Sequence, residues 1–325
     1  MTEIKNIKVG TLDGILLEDY ILRLVLLPQL GGKVISLIYK PTGKELLFKV
    51  PKADYRIPRW GEPFVRYDTG GWDECFPTIA PCLYPEGIWK GTPLPDHGAL
   101  WSIPWHCQLS PNEVYLAAKC MTLPLLFRKR IRLVPKGRVK VSYEVENLCG
   151  EPLIFLWAAH LLLRITDNWE ILLPSEVDYL RVNWSKGERL GKLGDRVNWP
   201  IARDRKGKQV SLHTEFSPAA DYADKLFTPR LSVGAGGMWN KRTGESLVLN
   251  FPADLVPFIG LWLCQGGYPE DREPKHFTAG IEPSTGAPDS LEVAYKWGEY
   301  ARIGARSRYQ WWLELKVAQG EKPRL

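Results

Sequence analysis

No stretch of the sequence approaches 18 consecutive apolar residues, so none is predicted to cross a membrane as a helix. The longest apolar run, Leu153 to Leu163, is too short for that and reads as one buried strand. The opening residues, MTEIKNIKVG, lack the apolar core of a signal peptide, which predicts a cytoplasmic protein. Cysteine is sparse: six among 325 residues, with no C-x-x-C pair and no histidine at zinc-ligand spacing. Free thiols and no metal site are therefore expected. The net charge is +6, but no run reaches five or six like charges, so no nucleic-acid partner is expected. There is no P-loop and no G-x-S-x-G elbow. The GAGG at 234–237 lacks both the third spaced glycine and the following helix of a dinucleotide fingerprint.

What is present is mostly of period two. Arg138 to Glu146 alternates, with Val139, Val141, Tyr143 and Val145 on one side and Lys140, Ser142, Glu144 and Glu146 on the other. Tyr309, Trp311, Leu313, Leu315 and Val317 repeat the pattern. Such strands cover a core with one face, as antiparallel sheets allow. Further strands are predicted at 20–27, 34–39, 45–48, 114–120, 125–134, 153–165, 246–251, 258–263 and 276–282. Gly, Pro, Asn and Asp punctuate the gaps, and no helical period is sustained beyond about three turns. The expectation is an all-β sandwich in a single domain over residues 1–325. The segment 181–221 mixes charges, glycines, Trp184 and Trp199, and reads equally as a lid or an oligomer contact.

The stretch from Tyr67 to Trp105 is both irregular and aromatic. It holds Gly70-Gly71, Trp72, Asp73, Glu74, His97-Gly98 and Trp101, and prolines break it up. It is read as an ordered loop system over a rigid scaffold, where binding residues concentrate. Fourteen tryptophans suit a pocket for a ligand with apolar faces and polar edges, such as a sugar. Of five histidines, His160 lies in the apolar run IFLWAAHLLL, where an imidazole must find a partner or face a cavity. His97 precedes a glycine on a loop. Glu282 closes the strand before Pro283. Each also reads as a structural or surface residue when taken alone. Arg128, Arg130 and Arg132 share one strand face, which is read as solvated.

Five segments, in this order, resemble the galactose mutarotase-like superfamily, which includes aldose 1-epimerases and hexose-6-phosphate mutarotases. They are LPQLGGKVISLIYKPTGKELLF, GGWDECFP, DHGALWSIPW, WAAHLLL and GIEPSTGAPDS. The resemblance implies a β-supersandwich of twisted antiparallel sheets with an open sugar-binding groove. It implies anomer exchange on an aldose, a small-molecule carbohydrate partner, and no metal or organic cofactor. By this resemblance His160 matches the general acid, Glu282 the general base, and His97 the second, sugar-binding histidine. An acid His160 would need a nearby carboxylate to hold it protonated. Asp73, Glu74, Trp72, Trp101, Arg66 and Trp262 are the candidate substrate contacts.

Two departures bear on the substrate. The sugar-phosphate branch has an arginine immediately before its double glycine, whereas Arg66 lies further upstream. Asp73-Glu74 replaces neutral residues there, and extra carboxylates repel phosphate. An unphosphorylated sugar is expected. His160 stands in Ala-His-Leu-Leu-Leu, where galactose mutarotases carry Asn-His-x-x-Phe-Asn. That keeps open a sugar-binding protein without turnover, stacking sugars on Trp72, Trp101 and Trp262. Another carbohydrate-active enzyme is a further alternative.

Overall fold

The computed structural model describes residues 2–51, 53–166 and 168–325. Among the described residues, two large antiparallel sheets dominate. The larger has twelve strands. Eleven run in the order Glu3–Val9, Leu12–Glu18, Leu22–Leu27, Lys33–Tyr39, Trp72–Cys75, Ala158–Arg164, Phe277–Ser284, Phe258–Gln265, Tyr222–Phe227, Tyr179–Ser185, Arg196–Asn198, and Lys44–Glu45 pairs onto Lys33–Tyr39. The smaller has eight, in the order Trp169–Leu172, Ala235–Asn240, Glu245–Asn250, Arg308–Gln319, Arg138–Asn147, Leu125–Val134, Val114–Lys119, His106–Leu109.

The alternating strands behave as their sequences require. Along Arg138–Asn147 the valines and Tyr143 are buried while their neighbours are wetter, and Arg308–Gln319 repeats this from Trp311 to Val317. These inward faces meet the large sheet across one core, with Leu24, Val34, Trp72 and Leu161 on one side and Phe127, Val141 and Leu313 on the other. Burial of such apolar faces is the main stabilising term.

Two expectations need correction. Leu153 to Ile165 is not one strand. It divides into Leu153–Phe155, which pairs with Ala301–Ile303, and Ala158–Arg164, which enters the large sheet. A run that is apolar throughout carries no period to mark such a break. The stretch 67–105 is not all loop either, because Trp72–Cys75 is an internal strand between Lys33–Tyr39 and Ala158–Arg164.

That strand buries two adjacent carboxylates on opposite faces, each matched by a lysine. Lys33 Nζ lies 2.8 Å from Asp73 and 3.1 Å from Asp68. Glu74 points between the sheets, 3.1 Å from Lys129 Nζ, and also accepts from Tyr143 Oη (3.2 Å) and Trp157 Nε1 (2.8 Å). A buried carboxylate is tolerable only when matched in this way.

All six cysteines are unpaired. Among the described residues no helix is long and apolar enough to cross a membrane. The segment 181–221 supplies edge strands and short hairpins, including Tyr179–Ser185 and Arg196–Asn198 at the far end of the large sheet.

Candidate functional site

Side-chain rows on the large sheet, facing away from the small one, form the floor of a cleft of about 240 Å³. One row crosses five strands: Trp184, Lys225, Trp262, Gly280 and Leu162. Two residues along, the next row runs Phe227, Gly260, Glu282, His160 and Asp73. The pairs Ala158–Ser284 and Leu162–Gly280 flank His160 and Glu282 in one register. The two residues therefore stand opposite one another on neighbouring strands and share a face.

Their side chains diverge from there. Glu282 is ion-paired through Oε2 to Lys225, whose ammonium also lies 3.7 Å from Asp289 Oδ1. His160 turns to the other wall, edge-on to His97 (ring centroids 5.1 Å) and to Phe64 (5.4 Å). Glycines make room for the Glu282 pair. A Cβ on Gly280 would stand 2.8 Å from Glu282 Oε1, and one on Gly260 would stand 3.2 Å from Lys225 Nζ.

The walls come from loops. His97 and Gly98 both adopt the left-handed conformation, with φ of 56° and 75°. Only glycine fits at 98, because a Cβ there would lie 2.2 Å from the Phe76 carbonyl oxygen. This turn aims His97 into the cleft, stacked on Phe64 at 4.0 Å. His97 Nδ1 donates to Asp96 Oδ1 (2.8 Å), and Asp96 Oδ2 accepts from the Phe64 backbone N–H (2.9 Å). Asp289 precedes the short helix Leu291–Trp297. Its carbonyl accepts from the backbone of Ile79 and Ala80, and its carboxylate from Asn183 Nδ2 (2.8 Å).

Burial, followed by the positive neighbours His97, Lys225 and Lys33, holds His160 well below the usual imidazole range. The carboxylate expected beside His160 stands instead beside His97. Burial pushes the Glu282 carboxyl up, and Lys225 pulls it partly back. Asp289 is raised in the same way. Burial works against the Lys225 ammonium, but Asp289 and Glu282 together outweigh it and raise its pKa. Asp96 is opposed by burial yet held below the usual carboxylate range by His97.

Four buried polar atoms on cleft-lining residues have no hydrogen-bond partner among the described residues: Thr69 Oγ1, His160 Nδ1, Glu282 Oε1 and Asp289 Oδ1. Buried polar groups are normally paired, and an unmatched one costs about 1–3 kcal/mol. Their convergence on one cleft marks it as a place for a hydrogen-bonding ligand. Among the described residues no group of three or more His, Cys, Asp or Glu side chains is arranged to hold a metal ion.

The cleft thus collects His97, His160, Glu282 and Trp262 from the sequence candidates. The other five do not line it. Trp72 and Glu74 face the core between the sheets. Asp73 shares the His160 face but is held by Lys33. Trp101 is buried edge-on behind Phe64 (5.0 Å), and its indole N–H donates to the Asp96 carbonyl. Arg66 is exposed on a short 3-10 turn. Sequence reading missed Lys225, Asp289, Asn183 and Trp184. A lone lysine inside the strand YADKLF was the available signal. A broader groove of about 370 Å³ lies on the small sheet's outer face, with Arg128 and Arg130 among its lining residues. Arg128 is paired with Glu144 and Glu146, and Arg130 with Glu113.

No family model matches the chain, and no curated protein matches it in sequence. Solved structures do match in fold. A galactose mutarotase-like protein from Lactobacillus casei superposes with a TM-score of 0.69 at 15% identity, covering 97% of this chain and 100% of its own. A galactose mutarotase related enzyme from Lactobacillus acidophilus gives 0.65 at 16% identity, over 99% and 100%. A galactose mutarotase-like protein from Clostridium acetobutylicum gives 0.65 at 12%, over 98% and 99%. The protein is an all-β sandwich with a cleft on its larger sheet, lined by aromatic side chains and a few buried charged ones. Its fold is the galactose mutarotase-like fold.

Proposed function

We propose that the protein is an aldose 1-epimerase, exchanging the α and β anomers of an unphosphorylated aldose. The observation that carries this reading is the pair His160 and Glu282. They are set opposite one another on adjacent strands, meet different neighbours in one cleft (Lys225 for Glu282, His97 and Phe64 for His160), and each has a buried polar atom without a partner among the described residues.

Anomer exchange needs a base at the O1 hydroxyl and an acid at the ring oxygen. Glu282 takes the O1 proton. The C1–O5 bond breaks as the C1 carbonyl forms, and O5 receives a proton from the histidine wall. Rotation about C1–C2 and closure on the other carbonyl face reverses both transfers. Such positioned groups typically contribute about 10²–10⁴-fold each. The resemblance gives the acid to His160. Burial disfavours the charged form of that imidazole, so we assign the donated proton to His97, which is hydrogen-bonded to Asp96, and give His160 the task of hydrogen-bonding the sugar. Lys225 favours the ionised form of Glu282. No arginine is among the described cleft-lining residues, Lys225 is engaged by two carboxylates and His97 by Asp96, so a phosphate finds no free cation there.

The second reading, sugar binding without turnover, draws support from that same ion pair, since a bound ammonium weakens a carboxylate base. Polarimetry on freshly dissolved α-glucose, α-galactose and other neutral aldoses separates the two. The epimerase reading expects catalytic amounts to hasten the approach to the equilibrium rotation. Calorimetric binding of an aldose with no rate enhancement across the panel would favour the second.

A further inference from the structure

The strand Tyr179–Ser185 is irregular where it meets the cleft. Its register against Tyr222–Phe227 shifts between Val182 and Trp184, leaving Asn183 as an extra residue. A bulge re-aims side chains that would otherwise alternate. Here the consecutive residues Asn183 and Trp184 both line the cleft. Asn183 is spent on Asp289, exchanging two hydrogen bonds with it. Trp184 stacks on Trp262 (ring centroids 5.9 Å, planes 27° apart), and Tyr268 stands edge-on to Trp262 at 5.4 Å.

The cleft lining grades from buried to open. Glu282 and His160 are 1% and 7% exposed, whereas Trp184 is 36% exposed. In strand order Trp184 lies three neighbours from Glu282. At a strand spacing of about 4.8 Å this places the two backbones on the order of 14 Å apart, farther than one pyranose ring spans. Glu282 and Trp184 thus mark the buried and the open ends of one cleft.

We propose that Trp184, continuing from Trp262, is a subsite for a second sugar ring, so that the preferred substrate is a reducing disaccharide or longer oligosaccharide. The inference rests on the epimerase reading for its orientation, with the free reducing end inward. The shelf offers flat apolar faces with an indole N–H at the edge, which suits the C–H face and hydroxyl rim of a pyranose. An anionic extension has no free counterpart, because Lys225, already ion-paired, is the lone lysine or arginine among the described lining residues.

The test compares kcat/KM for anomer exchange of cellobiose, lactose and maltose with that of glucose and galactose. We expect at least one disaccharide to exceed its parent monosaccharide by about tenfold, the worth of one added contact surface. Trp184→Ala should lower that disaccharide-to-monosaccharide ratio about tenfold, and Trp184→Phe should restore most of it. An unaltered ratio in Trp184→Ala, or monosaccharides favoured throughout, overturns the subsite. Absence of exchange with every sugar would count against the epimerase reading instead. The subsite is then decided by tryptophan-fluorescence titration with cellobiose and glucose. Tighter cellobiose binding that is lost in Trp184→Ala sustains it, and equal affinities overturn it.

Discussion

Lys225 holds Glu282 by one carboxylate oxygen, Oε2, and leaves Oε1 without a partner inside the cleft. One oxygen is anchored and the other is free to accept. Burial raises the Glu282 pKa and Lys225 lowers it. A base must be ionised, so activity falls on the acid side as Glu282 becomes protonated. In Lys225→Met the lowering influence is gone, and the acid limb of the kcat/KM profile should move to higher pH. A limb that stays in place or moves to lower pH would show that Lys225 does not tune this group.

Gly280 gives the Glu282 carboxylate its space. An added Cβ would lie 2.8 Å from Oε1 and 3.0 Å from Leu162 Cδ2 and Trp262 Cβ. Gly280→Ala should displace the carboxylate and reduce kcat at least about tenfold, the cost of a misplaced catalytic group. Overpacking of this kind costs about 1–3 kcal/mol of stability, so urea titration should find the protein still folded. Unchanged kcat would mean that the carboxylate position seen here is not the working one.

Glu74 belongs to the core, not to the cleft. It is 1% exposed and bound by Lys129, Tyr143 and Trp157. Glu74→Ala strands the Lys129 ammonium between the sheets and should destabilise the fold by about 3–5 kcal/mol. Chemical denaturation reads this directly. A loss below about 1 kcal/mol would place the pair in a far wetter setting than the structure shows.

His276 lines the cleft, and burial, followed by Arg272, lowers its pKa to about 4. The unfolded chain takes up its proton near the ordinary value of about 6.5, before the folded chain does. Its contribution is therefore fully present above that pH and is lost as pH falls towards 4, for a total of about 3 kcal/mol. Urea midpoints between pH 7.5 and 4.5 should fall less steeply for His276→Asn than for the wild type. Equal slopes would remove His276 as a source of acid sensitivity.

The parts of the fold that sequence reading reached are those where one face is wet. Arg138–Asn147 and Arg308–Gln319 alternate because solvent marks every second residue. The break at Leu156-Trp157 escaped it because both sides of the run are buried. Asp73 and Glu74 resembled a ligand-binding pair because adjacent carboxylates suggest a polar surface. Strand geometry sends them to opposite faces, and their lysines lie 40 and 55 residues away. His97, His160 and Glu282 stood out because each is a titratable group beside glycine, proline or an apolar run. Lys225 inside YADKLF and Asp289 after Pro288 carry comparable marks, but nothing along the chain joins them, or Trp184, to a common site. Their place in the cleft depends on cross-strand register and on a bulge, which a single strand's pattern does not encode.

The claim that Glu282 moves the O1 proton is tested most directly by saturation-transfer NMR between the anomeric protons of an aldose that the wild-type protein exchanges. With Glu282→Gln at the same concentration and an unchanged circular dichroism spectrum, the enzyme-dependent exchange rate should fall by about 10²–10⁴-fold. Exchange continuing at the wild-type rate in that variant would contradict the account.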